Sequence, residues 1–485
     1  MRLGLCFFVI ISVCNSLVAQ IQFSKAFDSN HNHEWGFSII NKNDTFMVLS
    51  GLAPISNIDN ESLMFDRIDS SGNLISSSIY YIPDTAYFPG TSGALKQNGN
   101  QFILGTSSGT ISQFDQSAIL VKFDQNGQVI LKKYYDLDTL SIGYSTVLFS
   151  NGDFGIVGLT YHLNSRADVL FIRTDSLGNV KWIKKYGGGY DDQGLLAYEQ
   201  PNGDILISAL EFNTQIQKKR DWFITLDDTG AVKNSFKYTY HNSTVWCSTS
   251  ITPTANNQYI LWGFADTLQQ SNNGYWPLHV TKVDSDYHII WQTLYLDSFD
   301  NDERNIKQIN DGGFVVVGTV AGGRGLIFKI DSFGHLLWHH WYQYSNNTCN
   351  YFSDFVQLSN GDLVVTGVTD DCDSLGSNED MWLVRLNSEG CLVPGCFSNG
   401  TVEVTSKINF MLFPNPAENE LQVQLNVLGA KPTSFQIINM FGQTILQGEL
   451  QNGSNHLNIL SLLPGIYLFQ IQAVGKLYTK KFVKE

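Results

Sequence analysis

Seven copies of one tight turn, spaced about fifty residues apart, constrain this chain more than any other feature. The turn reads Asp-x-x-Gly at Asp69/Gly72, Asp124/Gly127, Asp175/Gly178, Asp227/Gly230 and Asp331/Gly334. It appears as the variants Asp284/Tyr287 and Asn387/Gly390. The glycine positions (72, 127, 178, 230, 287, 334, 390) lie 55, 51, 52, 57, 47 and 56 residues apart. Upstream of each copy stands a second turn: Asn43-Asp44, Asn98-Gly99-Asn100, Asn151-Gly152-Asp153, Asn202-Gly203-Asp204, Asn256-Asn257, Asp311-Gly312-Gly313 and Asn360-Gly361-Asp362. Asn-Gly and Asp-Gly pairs accept the positive φ angles of two-residue hairpins, so these positions predict such hairpins.

Each repeat then holds four strands, one on either side of each turn. Stretches such as GDLVVTGV (361–368), GGFVVVGTV (312–320) and GDILISAL (203–210) are short, β-branched and nearly continuous in apolar residues. They read as strands covered on both faces. A period of 40 to 50 residues with four strands per unit is the pattern of a β-propeller blade. The expected fold class is therefore all-β, a seven-bladed β-propeller over residues 20–396, with an open solenoid or an array of sandwiches as the other architectures.

The last repeat runs into CLVPGC (391–396) where a fourth strand should stand. The stretch IQFSKAF (21–27) resembles the fourth strand VKWIKKY (180–186) and precedes the first repeat. Residues 21–27 are expected to complete the seventh blade and close the ring, removing an exposed sheet edge.

The ends of the chain carry addresses. Arg2, the apolar run 5–13 and Leu17-Val18-Ala19 form a secretory signal peptide, residues 1–19, cleaved after Ala19 and too short to span a membrane. No other long apolar stretch occurs, so no transmembrane segment is expected. A net charge of −15 argues against nucleic acid or anionic lipid as a partner. Export permits disulfides, and nearness in sequence or in one repeat suggests Cys391 with Cys396 and Cys349 with Cys372, leaving Cys247 over.

After a polar linker (397–408) the rhythm changes. NFMLFPNPAENELQVQL (409–425), IINMFGQTIL (437–446), LPGIYLFQI (463–471) and KKFVKE (480–485) closely resemble the C-terminal sorting domain of the Bacteroidota type IX secretion system, over residues 409–485. Its landmarks here are Pro414, Asn415, Pro416, Gly442, Gly465 and Tyr467. The resemblance implies a small β-sandwich, the secretion translocon and sorting machinery as partners, and a destination outside the cell or on its outer surface. It implies nothing about the activity of residues 20–396.

In a four-stranded unit both recurrent turns lie at one end of the sheet. The longer connections (52–61, 210–220, 265–277, 369–380) gather at the other, where binding residues concentrate on rigid scaffolds. Trp35, Tyr190, Asp191, Asp192, Tyr275 and Trp276 are the candidate ligand-binding residues there. Such aromatics either stack on sugar rings or pack between repeats. Trp182, Trp291 and Trp338 recur four residues after the turn position and read as core. The loop carboxylates Asp191, Asp192, Asp300, Asp302, Glu303, Asp371, Asp373 and Asp380 are oxygen donors of the kind calcium takes, although no calcium-loop spacing is present. His31, His33 and Glu34 have transition-metal ligand types without a closing third histidine or cysteine. No other cofactor is expected.

Catalytic patterns are weak. Gly105-Thr106-Ser107-Ser108-Gly109 fits Gly-x-Ser-x-Gly but sits between two strands, not at a strand-to-helix elbow. The Asp-x-x-Gly turn also differs from the sialidase box Ser-x-Asp-x-Gly-x-x-Trp, because its aspartate and glycine are one residue further apart. The sequence therefore reads as an exported protein that binds extracellular glycan or protein through its long-loop face. A polysaccharide hydrolase and a structural or adhesion component are the alternatives.

Overall fold

The computed structural model describes residues 22–28, 32–54, 62–80, 85–88, 95–110, 116–135, 137, 140–161, 166–187, 190–213, 218–238, 249–254, 256–264, 278–295, 305–320, 323–345, 348–371, 379–392, 409–413, 416–426, 433–439, 443–451, 453–473 and 476–485. The signal segment, the linker, Tyr275, Trp276, Cys372, Cys396, Pro414, Asn415 and Gly442 fall outside these residues. No helix among them is long and apolar enough to cross a membrane.

The chain is all-β. Sheet 1 comprises Asn32–Lys42, Thr45–Pro54, Ser62–Ile68 and Leu74–Tyr80, each strand antiparallel to the next. Sheet 2 follows with Gln101–Thr110, Gln116–Phe123 and Val129–Tyr135, its first position shared by the short strands Thr85–Phe88 and Lys96–Asn98. Sheets 3 and 4 are the meanders that start at Leu140–Leu148 and Asp191–Glu199 and end at Val180–Tyr186 and Val232–Tyr238. Sheets 5 and 6 start at Thr249–Pro253 and Asn305–Gln308 and end at Ile289–Tyr295 and Leu336–Tyr342.

Sheet 7 has three strands from its own repeat, Thr348–Gln357, Leu363–Asp371 and Asp380–Leu386. Its fourth is the N-terminal strand Phe23–Phe27, paired antiparallel from Phe23 opposite Arg385 to Phe27 opposite Met381. The expected completion of the last repeat by residues 21–27 is thus present over the described part.

Apolar clusters join the sheets in order. Phe65 packs with Phe102 and Phe123, Leu120 with Phe154, Phe171 with Trp222, and Phe223 with Leu261. Trp291 packs with Phe314, and Val317 with Trp382. The series returns to its start through a cluster holding Phe23, Leu383 and Met381 of sheet 7 with Phe46 and Ile68 of sheet 1. Each fully buried Phe contributes roughly 1.5–3 kcal/mol by leaving water. This serial packing of four-stranded antiparallel sheets is propeller-like.

The Asp-x-x-Gly turn works by local hydrogen bonding. Asp175 Oδ1 accepts from the backbone N–H of Leu177 (2.9 Å) and Asn179 (2.8 Å), while Gly178 N–H donates to Asp175 O (2.9 Å). The same pair of side-chain caps recurs at Asp69, Asp124, Asp227, Asp284, Asp331 and, through its amide oxygen, Asn387. The terminal position takes positive φ: 75° at Gly178 and 64° even at Tyr287. Tyr287 bears that strain, about 1–2 kcal/mol, while its ring stacks with Phe223, Phe236 and Tyr259.

The upstream turns differ from expectation. Only Asn43-Asp44 (φ 50° and 59°) and Asn256-Asn257 (75° and 55°) have positive φ at both residues. In the Asn-Gly-Asp turns the glycine alone does. Gly152 N–H donates to Phe149 O (2.8 Å) and Phe149 N–H to Asp153 O (3.0 Å), which makes a three-residue loop with a glycine bulge. The aspartate that follows is used across the sheet: Arg173 reaches Asp153 (3.1 Å), and Arg385 grips Asp362 through two nitrogens (3.0 and 2.8 Å).

The tryptophans after the turn are core as expected, Trp291 buried in one apolar cluster and Trp182 and Trp338 packed against two others. Trp182 Nε1 donates to Asp228 O and Trp291 Nε1 to Ser332 O, both at 2.9 Å, so each ring lies across the seam on the next sheet's turn. A Cβ placed on Gly230 would come within 2.9 Å of the Trp182 ring. Glycine is therefore required there by contact as well as by φ. Tyr135, Tyr186 and Tyr295 complete this clasp by donating their hydroxyls to the carbonyls of Gly178, Gly230 and Gly334.

The C-terminal part forms two antiparallel sheets. One holds Asn409–Phe413, Glu420–Asn426 and Gly453–Asn458. The other holds Thr444–Leu450, Thr433–Asn439, Gly465–Ala473 and Lys476–Lys484. They share a core that includes Leu421, Val423, Phe435, Ile437, Phe469 and Phe482. Of the sorting landmarks, Pro416 is exposed, Gly465 opens a strand, and Tyr467 is buried with its hydroxyl on Leu463 O (2.8 Å).

Candidate functional site

The long-loop end is organised by the first strands. In sheets 1, 3, 4 and 7 these strands carry a register shift, at Gly36/Ser38, Gly143/Ser145, Gly194/Leu196 and Phe352/Asp354. Two residues ahead of each shift stands a buried polar residue: Glu34, Ser141, Asp192 or Asn350. The backbone N–H groups of Glu34, Asp192 and Asn350 donate to Glu379, Ala167 and Gly323 of the preceding sheet, at 2.7, 2.9 and 2.8 Å. These side chains therefore stand at seams between sheets.

At the seam between sheets 7 and 1, the carboxylates of Asp28, Glu34 and Asp380 have oxygens within 4.8 Å of one another. Beside them Trp35 Nε1 donates to Glu379 Oε2 (2.6 Å), the His33 ring stacks parallel to Trp35 (5.8 Å, 3°), and His33 Nδ1 lies 3.3 Å from the same oxygen. Burial raises the Glu379 pKa above the usual glutamate range, against the pull of Trp35 and His33. Three oxygen ligands of this type suit a hard cation.

At the seam between sheets 3 and 4, Asp191 Oδ1 accepts from Ala167 N–H (3.1 Å) and Asp192 is buried. A Cβ on Gly187 would lie 2.1 Å from Asp168 Oδ1 and 2.9 Å from Asp192 Oδ2, so these carboxylates flank that glycine. Tyr190 is half-buried, with the Arg166 guanidinium 6.0 Å from its ring centre. The expected residues thus fall at two seams: Trp35 at one, and Tyr190, Asp191 and Asp192 at the other. His33, Glu34 and Asp380 join Trp35, whereas His31, Asp300, Asp302, Glu303 and Asp373 lie outside the described residues. Cys349 and Cys391 are each disulfide-bonded.

A second feature went unforeseen. A cavity of about 490 Å³ opens among the first strands of sheets 6, 7, 1 and 2, near the short-turn end. At its wall Asp354 is fully buried. Its Oδ2 accepts from Ser38 Oγ (3.2 Å) and Ile39 N–H (3.1 Å), and its Oδ1 from Asn305 Nδ2 (2.9 Å), Phe355 N–H (2.8 Å) and Lys307 Nζ (2.5 Å). Lys307 also reaches Phe355 O (2.7 Å). Lys96 lines the same space, with its ammonium deep in the protein. Burial first, then the charge of Lys307, lowers its pKa from the ordinary lysine value to about 8, with Asp354 opposing.

A signal for this site existed in the repeats. Gln97, Gln308, Gln357 and Asn41 are equivalent, each paired with the first residue of a second strand or its neighbour. The residue before them is lysine in two repeats (Lys96, Lys307) and apolar in two (Val356, Ile40).

Residues 411–485 match the family model of the secretion system C-terminal sorting domain. The chain thus carries the address for export across the outer membrane, to be released or held at the surface. No curated protein matches it in sequence. Among solved structures, it is similar to a protein of unknown function from Dyadobacter fermentans (12% identity, 75% of this chain and 97% of that one, TM-score 0.43). It is also similar to the β-propeller domain of the Trilobed protease from Pyrococcus furiosus (11%, 73% and 94%, 0.43) and to Trypanosoma rangeli sialidase (8%, 94% and 89%, 0.42).

Proposed function

We propose that this chain, exported under its type IX sorting domain, is a closed seven-bladed β-propeller that binds an extracellular glycan or protein through its long-loop end. In this reading each of the seven sheets is one blade, residues 1–19 are a signal peptide, and the source is a member of the Bacteroidota. The serial apolar clusters that return from sheet 7 to sheet 1 support the closed ring.

The observation that carries the binding reading is the convergence of carboxylates and rings at the seams of that end: Asp28, Glu34 and Asp380 beside His33 and Trp35, and Asp168, Asp191 and Asp192 beside Tyr190. Rigid strands supply these groups, so they are preorganised. Hydrolysis of a glycan needs one carboxyl held protonated and aimed at the scissile oxygen. Glu379 is a carboxyl of this end that burial raises, and its Oε2 is engaged by Trp35 and His33. That engagement favours binding over catalysis by this carboxyl.

The test is a glycan array probed with the full chain, with and without calcium, followed by Trp35→Ala and Tyr190→Ala. A hit weakened roughly tenfold or more by either substitution is expected, the loss of a stacking ring being worth about 1–3 kcal/mol. Release of shortened sugars would make the protein a hydrolase instead. A blank array with self-association would make it a structural surface component.

A further inference from the structure

We propose that Arg324 and Trp341, at the outer edge of sheet 6, bind the oxyanion of an acidic sugar, a uronate carboxylate or a sulfate ester. Arg324 opens the third strand of that sheet (Arg324–Ile330) and Trp341 stands near the end of the fourth (Leu336–Tyr342), so both lie toward the long-loop end. The inference rests on the reading that the chain binds an extracellular glycan there, and it names the class of glycan.

Sheet 4 shows what sheet 6 lacks. There Glu211 on the second strand (Ile205–Asn213) lies directly opposite Arg220 on the third (Lys218–Leu226), and it takes two cations, Arg220 at 3.7 Å and Lys237 of the fourth strand. Counted from the recurrent turns, the equivalents in sheet 6 are Val320, Arg324 and Trp341. Glu211 and Val320 stand seven residues after Asp204 and Gly313, Arg220 and Arg324 seven before Asp227 and Asp331, and Lys237 and Trp341 seven after Gly230 and Gly334. Val320 faces Arg324 in register as Glu211 faces Arg220. The arginine is kept, and a buried valine replaces its carboxylate.

Rings hold the guanidinium instead. Arg324 Cζ lies 4.7 Å from the Trp341 ring centre, and the His339 ring stacks on Trp341 at 5.3 Å and 22°. Trp341 is 47% exposed and Arg324 is half-buried. Among the described residues Arg324 forms no ion pair, whereas Arg173 and Arg385 reach Asp153 and Asp362 at 3.1 and 2.8 Å. The outer strand itself, LLWHHWY, offers no carboxylate. A guanidinium stacked on an aromatic ring keeps its planar fork of N–H donors for a carboxylate or sulfate. The sugar that carries the anion would then lie against the exposed part of Trp341. An aromatic bordered by His339 and Arg324, both hydrogen-bonding side chains, favours a sugar over an acidic peptide.

Calorimetric titration of the full chain tests the site, with a uronate oligomer, a sulfated sugar oligomer, a neutral glucan oligomer and oligoglutamate as probes. Saturable binding of an acidic sugar oligomer is expected, weakening as salt is added. The tighter of the two identifies carboxylate or sulfate as the anion. Arg324→Met should weaken that binding roughly tenfold or more, the range of a hydrogen bond to a charged group. Val320→Glu restores the arrangement of sheet 4 and should weaken it as well, with Arg324 still in place. If the buried Val320→Glu does not fold, Arg324→Met decides. Unchanged affinity in Arg324→Met would overturn the assignment, as would neutral glucan or oligoglutamate binding as tightly as the acidic sugars. A neutral glycan lost with Trp35→Ala but indifferent to Arg324→Met would overturn this inference alone, whereas no bound glycan at all would overturn the reading beneath it too.

Discussion

Two seams of this molecule follow one plan with different chemistry. Between sheets 3 and 4, which are neighbours in sequence, Trp182 lies on Gly230, its Nε1 bonds Asp228 O, and the Tyr186 hydroxyl donates to Gly230 O (2.8 Å). Between sheets 7 and 1, which bring the two ends of the propeller-like region together, Phe23 takes the place of Trp182 on Gly72, and Phe27 takes that of Tyr186. The missing polar donors are replaced by charged ones. Lys25 Nζ reaches Ser71 O (3.0 Å) and Asn73 Oδ1 (2.9 Å), and Arg385 reaches Ser70 O (2.8 Å). The acceptors on the turn are the same kind in both seams. Turn carbonyls are fixed by the local Asp-x-x-Gly geometry, so a donor of suitable reach on the third or fourth strand can hold the next sheet. The cavity holding Lys96, Lys307 and Asp354 spans the second seam.

Replacing Phe23–Phe27 with a Gly/Ser segment should have the largest effect. It removes a buried ring and a whole ladder of pairing with Asp380–Leu386, and a loss of roughly 3–5 kcal/mol or more is expected in denaturant unfolding. Unchanged stability would show that the seam is not held by this strand.

A smaller effect should come from exchanging the hydroxyls. Tyr186→Phe should cost about 1 kcal/mol, and Phe27→Tyr should gain up to the same amount if the two seams are equivalent. Thermal unfolding of the two variants and the double variant reads this directly. A Phe27→Tyr that destabilises would show that the closing seam lacks room for the clasp.

The smallest effect is acid sensitivity. Backbone and side-chain hydrogen bonds at the turns lower the pKa values of Asp69, Asp175 and Asp227, with Asn73, Asn179 and Thr229 as the leading partners. A carboxyl whose folded pKa lies below its unfolded value stabilises the fold above the unfolded value, about 3.9, and loses that contribution as pH falls through the folded one. Stability should therefore be level near neutral pH and decline below about pH 4. Asp175→Asn, which reproduces the residue found at Asn387, should keep the caps and show a shallower decline. An unchanged acid profile would remove Asp175 from the cause.

Much of this fold was legible because its determinants are local. Asp175 caps amides two and four residues away, and the glycine that follows supplies φ, so period, strand count and the return of residues 21–27 follow from pattern. The Asn-Gly-Asp turns were misread by one residue, since Asn151-Gly152 suits both a two-residue hairpin and a three-residue loop with a bulge, and composition does not choose between them. The tryptophans were legible as core, but the partner of each indole N–H was not. That of Trp182 bonds a carbonyl on the next sheet's turn. Trp35 and Tyr190 were found as loop-end aromatics, and their assignment to two different seams came from strand register.

By itself the sequence determined the repeat, its two turns, the N-terminal strand that completes the last repeat, and the sorting domain that directs export. These rest on hydrogen bonds and torsions within a few residues, or on one contiguous motif. Only the tertiary structure decided that Lys96, Lys307 and Asp354 share one cavity, that Asn41 faces it with an unmet acceptor, and that Glu34 meets Asp28 and Asp380. Desolvation and charge coupling depend on distances between segments that packing alone brings together. A lysine that looks like an ordinary surface residue in its own repeat becomes, once the sheets are assembled, a buried ammonium whose pKa desolvation lowers.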